Sequence, residues 1–195
     1  MSLVAQSSRF AAGLITAIGL SVASASALAM DWSVDQGASS IGFSGTHAGR
    51  DFTGQFEDWD ATVTFDPAAL DEASVVVTVR TASAATGTLL YDKTLPNSEW
   101  FNAEGYPEAV FQASQFRSTG EGQYEANGTL TIKGQEIPLV LPFTLEMGGD
   151  SATVTGRVEM DRIALGMGTK SDPNAAWVSQ VIPVTVNLSA TRSGS

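Results

Sequence analysis

Period-2 alternation of apolar and polar residues, repeated from about residue 40 to the end, most constrains this chain. Val75, Val77 and Val79 alternate with Ser74, Thr78 and Arg80. Tyr124, Ala126, Gly128, Leu130 and Ile132 alternate with Glu125, Asn127, Thr129, Thr131 and Lys133. Ile137, Leu139, Leu141, Phe143 and Leu145 form another apolar face, followed by Ala152, Val154, Gly156, Val158 and Met160. Ile182, Val184, Val186, Leu188 and Ala190 close the series. Trp59, Ala61, Val63 and Phe65 repeat the pattern earlier, and Ile41 with Phe43 does so briefly. Side chains on a strand point alternately to opposite faces, so these runs predict antiparallel sheet with one dry and one wet side.

Turn chemistry sits between the runs. Lys133-Gly134-Gln135 and Met147-Gly148-Gly149-Asp150 each join two alternating segments, and Asp66-Pro67 opens a turn. About eight short strands predict a closed barrel or a sandwich. The stretch from Thr86 to Pro107 lacks alternation and reads as a short helix or irregular crossover around Leu89, Leu90 and Asp92-Lys93. Its bulky Trp100, Phe101 and Tyr106 either plug one end of the fold or touch a ligand.

Residues 1–29 have the form of a secretory leader. Arg9 is their one charged residue, an apolar run extends from Phe10 to Val22, and Ala27-Leu28-Ala29 supplies the small-x-small exit. Thr16, Gly19 and Ser21 dilute a run already short for a bilayer span. The expectation is export without a twin-arginine signal, cleavage after Ala29 and residence in the periplasm. No cysteine follows the exit, which excludes a bacterial lipoprotein anchor there. The remaining 166 residues, 30–195, suit one domain with a real core.

The chemical inventory is sparse. There is one histidine, His47, and no cysteine, so neither a disulfide nor a usual zinc site is expected, and no metal or cofactor is called for. No Gly-x-Ser-x-Gly elbow accompanies His47, which reads as a turn or rim residue. The acidic pairs Asp58/Asp60 and Asp71/Glu72 lack the spacing of a calcium loop. The glycine-rich Gly45–Gly54 stretch lacks the features of a phosphate cradle. Residues 30–195 hold nine basic and 21 acidic residues, a net charge of −12 that repels nucleic acid and anionic headgroups. An antiparallel barrel of about eight strands is just wide enough either to fill with side chains or to hold one small ligand. Small residues on the apolar faces, Ala126, Gly128, Ala152 and Gly156, suggest room inside.

Several segments, taken in order, resemble the YceI-like family of periplasmic polyisoprenoid-binding proteins. They include Trp32-Ser33-Val34-Asp35, Ser39-Ser40-Ile41-Gly42-Phe43-Ser44 with His47, Gly54-Gln55-Phe56 and Phe65-Asp66-Pro67. Thr86-Gly87, Asp92, Leu95, Trp100-Phe101, Tyr106-Pro107 and Phe111 follow. Gly128-Thr129-Leu130-Thr131-Ile132-Lys133-Gly134, Arg162, Leu165-Gly166-Met167-Gly168 and Val184–Leu188 complete the set. The resemblance implies an all-β fold, a closed antiparallel eight-stranded lipocalin-like barrel with a short crossover. It also implies a non-enzymatic carrier of an isoprenoid chain, polyprenyl or quinone-type, and contact with cytochrome b561-type membrane proteins. The oligomeric state is left open by the sequence, a homodimer being one option. The alternatives are a barrel enzyme and a structural or interaction protein of stress response. The residues expected to contact ligand, in the lumen or at its mouth, are Phe43, His47, Phe56, Trp59, Val63, Trp100, Phe101, Phe111, Leu130, Ile132, Leu141, Phe143, Arg162, Leu165, Met167 and Val184. Relatives often carry an Arg-Asp pair where this chain has Tyr91-Asp92, so either Lys93 or Arg162 takes over any headgroup contact or the headgroup preference differs.

Overall fold

The computed structural model describes residues 30–194; the expected leader, 1–29, lies outside them. The strands are β1 (Asp31–Val34), β2 (Ser40–His47), β3 (Arg50–Phe56), β4 (Trp59–Thr64), β5 (Ser74–Arg80) and the two-residue β6 (Ala84–Ala85). After α1 (Leu89–Thr94), the one α-helix among the described residues, come β7 (Glu108–Gly120), β8 (Gln123–Ile132), β9 (Gln135–Gly148), β10 (Ser151–Asp161) and β11 (Val181–Arg192). Neighbours pair in the order β1-β4-β5-β7-β8-β9-β10-β11, and β11 returns to β1, closing an eight-stranded antiparallel barrel. The barrel of the resemblance is therefore present, and the sandwich is not.

β11 divides its outer edge between two partners. Ala190–Arg192 pair with β1, whereas Val184–Asn187 pair with β2. β2, β3 and β6 thus continue the sheet from β11 as a three-stranded branch, and Ile41, Phe43, Phe52 and Phe56 on it line the interior. The Gly45–Gly54 stretch is the body of this β2–β3 hairpin. Its turn, Ala48-Gly49, has φ of +50° and +74°, the two positive values of a type I′ turn. Lys133-Gly134 repeats this geometry between β8 and β9, with φ of +49° and +73° and Ile132 facing Gln135.

Strand β7 was not legible as alternation, and its register explains why. Ala113 pairs with Gly128 and Gln115 with Asn127, so one extra residue bulges between them. The bulge resets parity, and Phe111, Ala113 and Phe116 all join the core.

One end of the barrel is filled by aromatic rings. Phe65 meets Phe116, Tyr124 and Phe143 at centroid distances of 5.5, 5.4 and 5.9 Å, all edge-on, while Tyr124 stacks on Phe143 at 5.5 Å. Trp32 Nε1 donates to the Phe65 carbonyl at 2.9 Å, so the buried indole leaves no orphan donor. Irregular chain covers the opposite end: the crossover of residues 86–107 and the loop of residues 162–180. Between these ends lies the site.

Candidate functional site

A cavity of about 270 Å³ runs inside the barrel. Every strand of the closed ring contributes inward side chains to it, among them Val34, Val63, Val77, Phe111, Leu130, Leu141, Val154 and Val186. The crossover adds Leu95, Trp100 and Phe101, and the loop adds Leu165, Met167 and Val178. Arg162 is the one charged residue among its lining.

Two of the small residues expected to make room do not. A Cβ at Gly128 would overlap the Gln112 carbonyl oxygen, so this glycine admits the β7 backbone, not ligand. A Cβ at Gly156 would meet Leu141 Cδ1 at 3.3 Å. Ala126 and Ala152 do border the cavity.

Of the sixteen residues expected to contact ligand, the structure brings fourteen to the cavity: Phe43, Phe56, Val63, Trp100, Phe101, Phe111, Leu130, Ile132, Leu141, Phe143, Arg162, Leu165, Met167 and Val184. Trp59 and His47 are placed elsewhere. The Trp59 side chain is buried in a cluster with Ile41 and Leu188, against which Val77 and Val79 pack, so its surface is covered by protein. His47 ends β2, and its Nδ1 lies 2.7 Å from Tyr91 Oη. That contact ties the β2–β3 hairpin to α1 at the irregular end.

Sequence reasoning missed Phe52 and Phe116, which also line the cavity. Phe52 follows the parity of Phe56 on β3 and was concealed in a glycine-rich stretch. There, Gly45 leaves space for the Phe52 ring and Gly54 for the Phe43 ring. Phe116 is out of step with Phe111 because of the bulge.

Arg162 holds the irregular end together. Its Nε donates to the Ser179 carbonyl at 3.0 Å, Nη1 to Met167 at 2.9 Å and Nη2 to Val178 at 2.9 Å. Nη2 also meets Asp172 Oδ2 at 2.7 Å, and the guanidinium lies 5.6 Å from the Trp100 ring centroid. These donors are engaged by loop carbonyls and a carboxylate, so the charge facing the cavity is already neutralised. Lys93, the other candidate for a headgroup, is exposed and does not line the cavity.

The loop's acids serve its backbone. Asp172 accepts from the N–H groups of Val178, Trp177 and Ala176, and these bonds, Val178's foremost, with Arg162 beside them, hold its carboxyl below the usual range. Glu99 in the crossover accepts from Ser171 and Lys170 N–H groups, which lowers its carboxyl and stitches crossover to loop. Asp92 accepts from both the hydroxyl and the N–H of Thr86, and is likewise lowered. Burial pushes the Lys133 ammonium down, while its Nζ donates to the Gly166 carbonyl at 2.7 Å. Among the described residues, no three His, Cys, Asp or Glu side chains converge as metal ligands would. The arrangement encloses apolar volume; it does not present a nucleophile and base to it.

Residues 32–190 match the family described as the YceI-like domain. The UPF0312 protein of Pseudomonas syringae pv. syringae is 33% identical over 137 residues, spanning 68% of this chain and 71% of that relative. The crystal structure of Burkholderia cenocepacia BcnA superposes with a TM-score of 0.78 at 29% identity, covering 82% of this chain and 100% of the other. A polyisoprenoid binding domain from Saccharophagus degradans, implicated in plant cell wall breakdown, shares the fold with a TM-score of 0.62 at 14% identity, over 84% and 99%.

Proposed function

Because the chain belongs to the YceI-like family, we propose that it is a periplasmic carrier that holds an isoprenoid chain inside its barrel. The observation that supports this most is the cavity itself: an apolar tunnel whose single charged lining residue, Arg162, has its charge met by Asp172 and loop carbonyls. Such a wall rewards hydrocarbon and offers little to a polar solute.

The energetics favour tail over headgroup. Burial contributes ~0.8 kcal/mol per CH₂, and affinities saturate near −18 to −21 kcal/mol, roughly, because association and ordering costs intervene. A chain of several isoprene units reaches that ceiling without help from a headgroup. Binding is therefore tolerant of headgroup, and both polyprenyl and quinone-type ligands fall within the reading. The polyisoprenoid named for the Saccharophagus degradans domain is consistent with that class.

In this reading the leader is removed after Ala29, the protein needs no metal or cofactor, and it performs no turnover. A cytochrome b561-type membrane protein is the kind of partner that would supply or receive a quinone. Purification from the native host, solvent extraction and mass spectrometry test the proposal. One or more isoprenoid lipids at near-stoichiometric amount are expected. A ligand-free protein that also takes up no prenyl probe would overturn it.

A further inference from the structure

Leu89 and Leu90, the first residues of α1, are 70% and 69% exposed, and Trp177 in the 162–180 loop is 64% exposed. No other large apolar side chain among the described residues is as open. The three sit on segments that meet beside the β2–β3 turn. Ala48 N–H donates to the Trp177 carbonyl at 2.7 Å, and Tyr91, next to Leu90, reaches His47 at the base of the same turn. From their other sides, these segments line the cavity through Leu95, Trp100 and Val178. The wall there is crossover and loop rather than strand ladder, so opening it would leave the closed ladder of the barrel intact.

Charge separates this end from the rest of the molecule. Residues 47–51, 86–107 and 162–180 hold four basic and five acidic residues, so they carry only one of the twelve net negative charges of residues 30–195. Three of those acids, Asp92, Glu99 and Asp172, are occupied by backbone N–H groups. Arg50, Lys93 and Lys170 are exposed. Exposed leucines, a tryptophan and cations on neighbouring segments are the residue types that suit the acyl, interfacial and phosphate layers of a phospholipid surface. The acidic remainder of the barrel is held away from headgroup phosphates by the same field.

We propose that Leu89, Leu90 and Trp177 form a membrane-docking surface that seats the irregular wall of the cavity on a phospholipid bilayer. Cargo then moves between bilayer and lumen without crossing water. The inference rests on the carrier reading, and its test separates the two.

Flotation with vesicles of phosphatidylcholine and phosphatidylethanolamine measures docking. Transfer of a dansyl-labelled prenyl alcohol from the same vesicles measures loading. The Leu89→Asp/Leu90→Asp and Trp177→Ser variants should lose roughly tenfold or more in both vesicle association and transfer rate. Their melting temperatures, and uptake of the probe added from ethanol, should match wild type. Variants that transfer at the wild-type rate would overturn the docking surface. So would a wild-type protein that ignores vesicles but self-associates through these residues in sedimentation. Failure of wild type to take up the probe from ethanol would overturn the carrier reading instead, and docking for cargo with it.

Discussion

Arg162 Nη2 lies 2.7 Å from Asp172 Oδ2, and the two side chains are 2% and 6% exposed. A buried ion pair is weak evidence for net stability, because desolvation offsets its attraction. Here the pair does more than satisfy itself. Arg162 gathers carbonyls from residues 167, 178 and 179, and Asp172 gathers N–H groups from residues 176–178. Together they give a loop without regular structure a fixed path across the cavity.

Arg162→Met removes the cation while keeping an apolar side chain of similar length. It takes the cation from the Asp172 carboxylate, leaving that group its backbone N–H donors alone, and frees the carbonyls of Met167, Val178 and Ser179. The melting temperature should fall by roughly 10 °C. Far-ultraviolet circular dichroism should stay β-rich, because the closed ladder does not pass through residue 162. A melt within 2 °C or so of wild type would mean that the loop is held by its apolar residues alone.

The same contacts set a pH dependence. The carboxyls of Asp172, Asp92, Asp161 and Glu99 are all lowered in the fold, against ordinary values of 3.8 for Asp and 4.5 for Glu. A depressed folded-state pKa contributes stability that is present above the unfolded value and lost as pH falls through the folded one. Melting temperature should therefore be flat near neutrality and drop below about pH 4. Asp172→Asn should melt lower at pH 7 and lose less on acidification. Parallel curves for the two proteins would remove Asp172 from the explanation.

Strand faces were readable wherever parity ran unbroken. β8 through β11 could be assigned from residues such as Leu130, Leu141, Val154 and Val186, because one side of each strand meets an apolar interior and the other meets water. Parity failed at two places for different reasons. The bulge at Ser114 put Phe116 on the wrong count, and only pairing with β8 reveals the extra residue. In β2–β3, glycines occupy inward positions because rings from neighbouring residues fill the space, so the hydrophobic signal was one residue removed from its geometric site. Long-range polar contacts were the least legible. Nothing in the sequence around Arg162 specifies that its partner is ten residues away in an irregular loop.

The glycines offer a direct check on close approach. A Cβ at Gly128 would overlap the Gln112 carbonyl in the paired strand, and backbone on both sides limits relief. Gly128→Ala should destabilise by ~1–3 kcal/mol through overpacking. At Gly156 a Cβ would meet the Leu141 side-chain end, which can shift, and the Pro142 carbonyl oxygen, both at 3.3 Å, a mild crowding offset by the ~0.4–1 kcal/mol that alanine takes from the entropy of the unfolded chain. Gly156→Ala should therefore be close to neutral. Urea titration of both variants reads the difference, and equal destabilisation would mean that packing around β8 is looser than these distances imply.

The last test asks which face of one strand carries the ligand. Leu139 and Val140 are neighbours on β9. Leu139 lines the cavity opposite Gly128, whereas Val140 is 47% exposed on the outer surface. Leu139→Lys introduces an ammonium group into an apolar tunnel where no carboxylate is available to pair with it, and a buried unpaired charge is strongly unfavourable. Some of that cost falls on the fold, so both variants must first show a cooperative melt and a β-rich spectrum. Val140→Lys replaces an exposed apolar side chain with a hydrated one and should change stability by no more than ~0.5 kcal/mol. Among folded variants, affinity for a prenyl probe should fall by ~100-fold or more for Leu139→Lys and stay at the wild-type value for Val140→Lys. Tyr124 and Phe143, deeper in the aromatic end, provide the internal control: stacking at 5.5 Å should leave their near-ultraviolet signal intact in both variants. Loss of binding in the Val140 variant, with retention in the Leu139 variant, would place the ligand on the outer face of the barrel.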